Sequence, residues 1–105
     1  MNIEFLYFNG CPNHVKAYEN LVQVLKKKGI ENRVNIFKII VNSPELAIQN
    51  QFVGSPSIRI NGRDIEEKQR HNREYTYSCR IYEEKGMKSG FPSKNLILEA
   101  LEKRS

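Results

Sequence analysis

Phe5-Leu6-Tyr7-Phe8-Asn9-Gly10-Cys11-Pro12-Asn13-His14-Val15-Lys16 is the stretch on which the fold of this chain turns. Ile3 to Phe8 is too short for a helix and too apolar for a loop, so it reads as a strand. Pro12 suits the first helical position, where its missing N–H is an orphan donor in any case. That places Cys11 at the N-terminal end of the helix, facing unpaired N–H groups and the positive end of the macrodipole. Both favour a thiolate, so Cys11 is the expected nucleophile. The plain alternative is a free Cys buried as a small hydrophobe.

Outward from that stretch, His14 opens an apolar stripe of Val15, Tyr18, Leu21, Val22 and Leu25 at helical spacing. Lys26-Lys27-Lys28 suits a helix C-terminus and Gly29 a C′ residue, giving a helix over about 12–28. His14 lies one turn beyond Cys11, on the same side. Val34 to Val41 is β-branched and nearly continuous, as a strand buried on both faces should be. Strand, long helix, strand implies a parallel βαβ unit. Ser43-Pro44-Glu45 is a helix start, for a short helix to about residue 51.

Asn61-Gly62 between Ile58/Ile60 and Ile65 is a strong hairpin signal, with strands over about 57–60 and 63–65 following Pro56. Residues 66–73 (EEKQRHNR) read as a solvated loop or frayed helix, with His71 on the surface. Residues 74–82 alternate, with Tyr75, Tyr77, Cys79 and Ile81 on one side, and are expected to be a strand or extended segment. Residues 86–90 read as a loop. Pro92-Ser93 opens a last helix with Leu96, Ile97, Ala100 and Leu101 as its buried stripe.

The 105 residues are expected to form one domain, long enough to bury roughly two-thirds of the unfolded surface. Seventeen basic residues against twelve acidic ones give a net charge of +5, but they are scattered, and no nucleic-acid motif is present. No apolar run approaches the ~20 residues of a membrane span. The opening Met1-Asn2-Ile3-Glu4 lacks the basic start of a signal peptide. The expectation is a cytoplasmic protein, where two Cys argue for thiol or metal chemistry over a structural disulfide.

The order βαβα, hairpin, helix resembles the thioredoxin-like arrangement over about residues 3–65 and the closing helix. Cys11-Pro12 follows the first strand as the reactive Cys does in that family. Ser55-Pro56-Ser57 precedes the third strand, where the family carries a cis-Pro beside that Cys. Gly10 to His14, Phe52 to Gly62 and Ser78 to Tyr82 are similar to small members often labelled as related to alkylmercury lyase. The resemblance implies an α/β fold with a central mixed sheet and helices on both faces, a cis Pro56, and an atypical insertion at about 66–90. It also implies a Ser55 backbone free to pair with an extended substrate. Where thioredoxins have a second motif Cys, this chain has His14.

Three readings follow. In the first, the protein is a thiol-dependent oxidoreductase: Cys11 attacks, Cys79 or an external thiol resolves, and His14 assists as ion-pair partner or proton shuttle. In the second, Cys11 and Cys79 bind mercury or another thiophilic metal; Asp64, the only Asp, is assigned no role. In the third, the domain is a non-catalytic interaction module. No cofactor or resident metal is expected. The expected partners are a thiol or disulfide, glutathione or a protein among them, without nucleic acid or membrane.

Overall fold

In the computed structural model, which describes residues 1–103, the opening apolar run forms β1 (Asn2–Tyr7). Alternation along β1 sends Ile3, Phe5 and Tyr7 into the larger core cluster and Leu6 into a smaller one on the opposite face. α1 (Asn13–Lys28) buries Ala17, Leu21, Val24 and Leu25. It ends at Gly29 (φ 68°), where the Gly29 N–H donates to the Lys26 carbonyl at 3.0 Å and the Ile30 N–H to the Leu25 carbonyl at 3.1 Å. These are the paired bonds of a Schellman cap. β2 (Asn35–Ile40) runs parallel to β1, from Asn2 opposite Asn35 to Tyr7 opposite Ile40.

α2 (Pro44–Gln49) is capped by Ser43, whose Oγ accepts from the Leu46 N–H at 3.1 Å. β3 (Ser57–Ile60) runs antiparallel to β1, and β4 (Arg63–Asp64) antiparallel to β3. Asn61 and Gly62 join them with φ of 51° and 85°, the positive pair of a type I′ turn. The mixed sheet has the order β2-β1-β3-β4. A short 3₁₀ turn (Glu67–His71) follows, then a separate ladder of β5 (Tyr82–Glu84) and β6 (Met87–Ser89). α3 (Lys94–Glu102) closes the chain, with Ser93 as its cap.

The helices divide between the faces of the sheet. Ile97, Ala100 and Leu101 of α3 join the α1 stripe against Ile3, Phe5, Ile58 and Ile60. Ala47 of α2 packs with Leu6, Val41 and Phe52 on the other side. A buried bond from Asn20 Nδ2 on α1 to the Pro92 carbonyl, 2.9 Å, fixes the approach to α3. No helix among the described residues is long and apolar enough to cross a membrane.

Four expectations are corrected. β2 is not buried on both faces: it is the edge strand, α2 is only six residues long, and Phe37 and Ile40 stay 51% and 45% exposed. Residues 66–73 are not all solvated, because Glu66 is buried. In residues 74–82 only Cys79 makes a ladder contact before Tyr82, and the inward phase is Arg80 and Tyr82, while Tyr77, Cys79 and Ile81 face outward. Residues 86–90 contain a strand, since Lys85 and Gly86 (φ 51° and 80°) turn β5 into β6.

Asn20→Ala would leave the buried Pro92 carbonyl without its donor, which costs about 1–3 kcal/mol. Urea denaturation should show a loss of that size with an unchanged m-value.

Candidate functional site

The site is organised around Ser55. Its N–H donates to the Ser78 carbonyl at 2.8 Å and its carbonyl accepts from the Arg80 N–H at 2.9 Å. Ser55 and Cys79 therefore form an isolated parallel bridge. The same carbonyl accepts from the Cys11 thiol at 3.7 Å, a bond made by the S–H form. Ser55 Oγ accepts from the Phe8 N–H at 3.3 Å, tying this point to the end of β1. The peptide bond that follows, Ser55–Pro56, is cis.

Two free thiols flank Ser55. Cys11 is fully buried and Cys79 is exposed. The Cys79 pKa is raised above its ordinary value, first by its hydrogen bond with Cys11, then by burial, then by negative charge on Cys11. Each of these disfavours the Cys79 thiolate. One inner and one outer thiol therefore converge on the same residue, Cys11 through its bond to the Ser55 carbonyl and Cys79 through the bridge.

Arg80 holds the outer strand of this arrangement. With 4% exposure, its Nη1 donates to Asp64 Oδ2 at 2.8 Å and to Ser57 Oγ at 3.0 Å. Its Nη2 donates to Asp64 Oδ1 at 2.7 Å and Glu66 Oε1 at 3.0 Å. The guanidinium lies 4.2 Å from the Tyr82 ring centroid. Burial opposes the Arg80 charge, but Tyr82, Asp64 and Glu66 outweigh it, and the guanidinium is held above its ordinary range. Burial also pushes the Tyr82 phenol up; its hydroxyl donates to the Pro56 carbonyl at 2.6 Å. Gly54 (φ 119°) lets the strands meet, for a Cβ there would stand 2.7 Å from Arg80 Cβ.

The structure brings Cys11, Cys79, Ser55 and Pro56 together. Pro12 caps α1 instead of occupying its first turn, which moves Cys11 one residue further from the helix, and the Cys11 N–H donates to the Phe8 carbonyl at 3.2 Å. His14 does not join the pair. Its ring stacks on Tyr7 at 4.6 Å, and no hydrogen bond links it to either cysteine among the described residues. The Ser55 edge, expected to await a substrate, is filled by the chain's own residues 78–80.

This arrangement can be set beside known proteins. Residues 12–101 match the family described as Domain of unknown function (DUF2703). The chain belongs to that family. No match was found among curated proteins or solved structures. The DUF2703 match takes in Ser55, Asp64, Glu66, Cys79 and Arg80, and begins one residue past Cys11.

Sequence reading missed Arg80 and Glu66 and gave Asp64 no role. The available signal was an Arg in phase with Tyr82 in an alternating segment, together with two acids spaced i, i+2 beyond a hairpin turn. No group of three or more His, Cys, Asp or Glu able to hold a metal occurs among the described residues.

Two predictions follow from this DUF2703 site. Arg80→Met strands two buried carboxylates and should cost about 3–5 kcal/mol in chemical denaturation. Because its pKa is raised, Cys79 carries less thiolate at neutral pH than a free Cys. Its alkylation rate should rise through a midpoint above that of an exposed thiol, and Cys11→Ala should bring the midpoint down.

Proposed function

We propose that this protein is a thiol-dependent redox protein of thioredoxin-like type, cycling between a Cys11/Cys79 dithiol and a disulfide. The observation that carries the proposal is the convergence of the two thiols on Ser55, Cys11 bonded to its carbonyl and Cys79 paired with it in a bridge, one buried and one exposed. Cys11 after the first strand, Pro56 ahead of the third, and a hairpin and helix closing the order of elements support the thioredoxin-like part.

In the proposed reaction a disulfide R–S–S–R meets the outer sulfur first. The Cys79 thiolate attacks one substrate sulfur, the S–S bond breaks, and R–S⁻ leaves and takes up a proton. Cys11 then attacks the Cys79 sulfur of the mixed disulfide. A Cys11–Cys79 bond forms and the second R–S⁻ leaves as R–SH. The protein gives up two electrons and two protons, and the substrate disulfide is reduced to two thiols. Attack by Cys11 first would require the chain around it to open, since Cys11 has no exposed surface.

A second reading rests on the same convergence. Two neighbouring soft sulfurs suit one thiophilic ion such as Hg(II), in keeping with the sequence resemblance to proteins labelled as related to alkylmercury lyase. It predicts one tightly bound Hg(II) per chain, lost in Cys79→Ser.

Mass spectrometry after mild oxidation tests the redox reading. The expected product has lost two hydrogen atoms and carries a Cys11–Cys79 link. Cys11→Ser should accumulate a mixed disulfide on Cys79, whereas Cys79→Ser should stay unmodified until denatured. A native pair that remains reduced under these conditions would sink the proposal and leave an interaction module.

A further inference from the structure

Residues 63–75 supply most of the lining of a recess of about 450 Å³, within the size range of small-molecule sites. β4 contributes Arg63 and the 3₁₀ turn contributes Arg70. Arg70 Nε donates to the Asp64 carbonyl at 2.9 Å, which holds the turn against β4. Asn72 Nδ2 donates to Gln69 Oε1 at 2.8 Å, and the Glu74 N–H to Asn72 Oδ1 at 2.7 Å. The Thr76 N–H then donates to the Phe52 carbonyl at 2.9 Å. That bond brings residues 73–75 back toward Gln51 and Val53, which also line the recess.

The charge of the recess is one-sided. Arg59, Arg63, Arg70 and Arg73 line it against Asp64 and Glu67. The buried Asp64 carboxylate is already bound by Arg80 and by the Glu66 N–H. Arg59 Nη2 donates to the Asn50 and Gln51 carbonyls at 2.7 Å each, and its Nη1 lies 3.9 Å from Glu4. Arg70 bonds to a carbonyl, which orients its guanidinium without neutralising it. Arg63 and Arg73 are exposed, and their side chains make no hydrogen bond or ion pair among the described residues. Against these three unmatched guanidinium groups stands Glu67, which makes no ion pair among the described residues either. An excess of two positive charges is left, and His71 adds to it when protonated.

A small dianion answers that excess. The planar fork of an arginine meets oxyanions with paired bonds, and three forks suit a phosphoryl group with three free oxygens better than a carboxylate with two. The half-buried Val53 and Tyr75 offer an apolar surface to an organic remainder. A polyanionic chain would follow a stripe of charge extending past a single recess. Neither cysteine lines the recess. The register sets Arg63 level with Ile60 and Ile3, at the opposite end of β1 and β3 from the Leu6–Ser57 pair.

We propose that this recess is a binding site for a small phosphate monoester. The phosphoryl oxygens accept hydrogen bonds from Arg63, Arg70 and Arg73, and the organic part of the ligand lies against Val53 and Tyr75. The site goes beyond the dithiol reading and does not depend on it, since no thiol takes part. No bond is made or broken in the ligand.

The test titrates phenyl phosphate into the full chain by calorimetry, with phthalate as a dianion carrying carboxylates and a short single-stranded oligonucleotide as further probes. Phenyl phosphate should fill one site per chain. Its Kd should rise by about tenfold or more in Arg63→Gln/Arg73→Gln, the loss of a charge-assisted bond. Lys26→Gln/Lys27→Gln makes the same change of net charge at exposed residues outside the recess and should leave the Kd unchanged. In the native protein, the amide resonances of Gln51, Arg63 and Arg73 should shift on binding, a readout that needs no variant. Absence of saturable binding at millimolar phenyl phosphate, equal weakening in both double variants, or shifts centred elsewhere overturns the site. Phthalate binding as tightly as phenyl phosphate overturns the phosphoryl assignment. Oligonucleotide binding far tighter than either, and lost with Arg63 and Arg73, overturns the small ligand in favour of nucleic acid.

Discussion

A guanidinium taken out of water has to be met by opposite charge and by acceptors for its protons, and that demand shapes the functional end of this molecule. Arg80 is met by Asp64, Glu66 and Ser57, and the Tyr82 ring covers one face. The carboxylates are supported in turn: the Glu66 N–H donates to Asp64 Oδ1 at 2.8 Å and the Glu83 N–H to Glu66 Oε2 at 3.4 Å. A buried ion cluster of this kind adds little net stability compared with apolar packing of the same volume. Its consequence is positional. The chain can run only one way past Ser55, and the residue preceding Arg80 is thereby set against Cys11.

The sheet supplies the fixed half of the arrangement. Phe8, at the end of β1, and Pro56, at the entrance to β3, both bond to the cluster of contacts around Ser55, Phe8 through its N–H and Pro56 through its carbonyl. The second hairpin supplies the other half. Tyr82 opens β5, and Glu84 at its end accepts from both the N–H and the hydroxyl of Ser93, at 3.2 and 2.5 Å. One short ladder thus links the cysteine segment to the cap of α3.

Local signals were legible in the sequence because they depend on near neighbours. Ser43, Ser93 and Gly29 cap helices, and Asn61-Gly62 turns a hairpin, for reasons complete within a few residues. The charged core was not legible, because Arg80 finds its carboxylates 16 and 14 positions away. Without that pairing, the apolar Tyr75, Tyr77 and Ile81 are the natural choice for an inward face. β2 failed for a different reason: a continuous apolar run does not distinguish a central strand from an edge one. Lys38, midway along β2 with its ammonium 4.3 Å from the Tyr18 ring, is the edge residue that such a run conceals.

The unequal exposure of the two sulfurs also divides their fates under peroxide. Progress from sulfenic to sulfinic and sulfonic acid follows access by the oxidant as well as thiolate character. The surface sulfur of Cys79 is the one open to it, while Cys11 has no exposed surface. A sulfenic acid formed on Cys79 would have the Cys11 thiol on the same Ser55 peptide as its neighbour, and condensation to a disulfide with loss of water would end the sequence at a reversible stage. In a protein cycling as proposed, the inner sulfur would guard the outer one against irreversible damage.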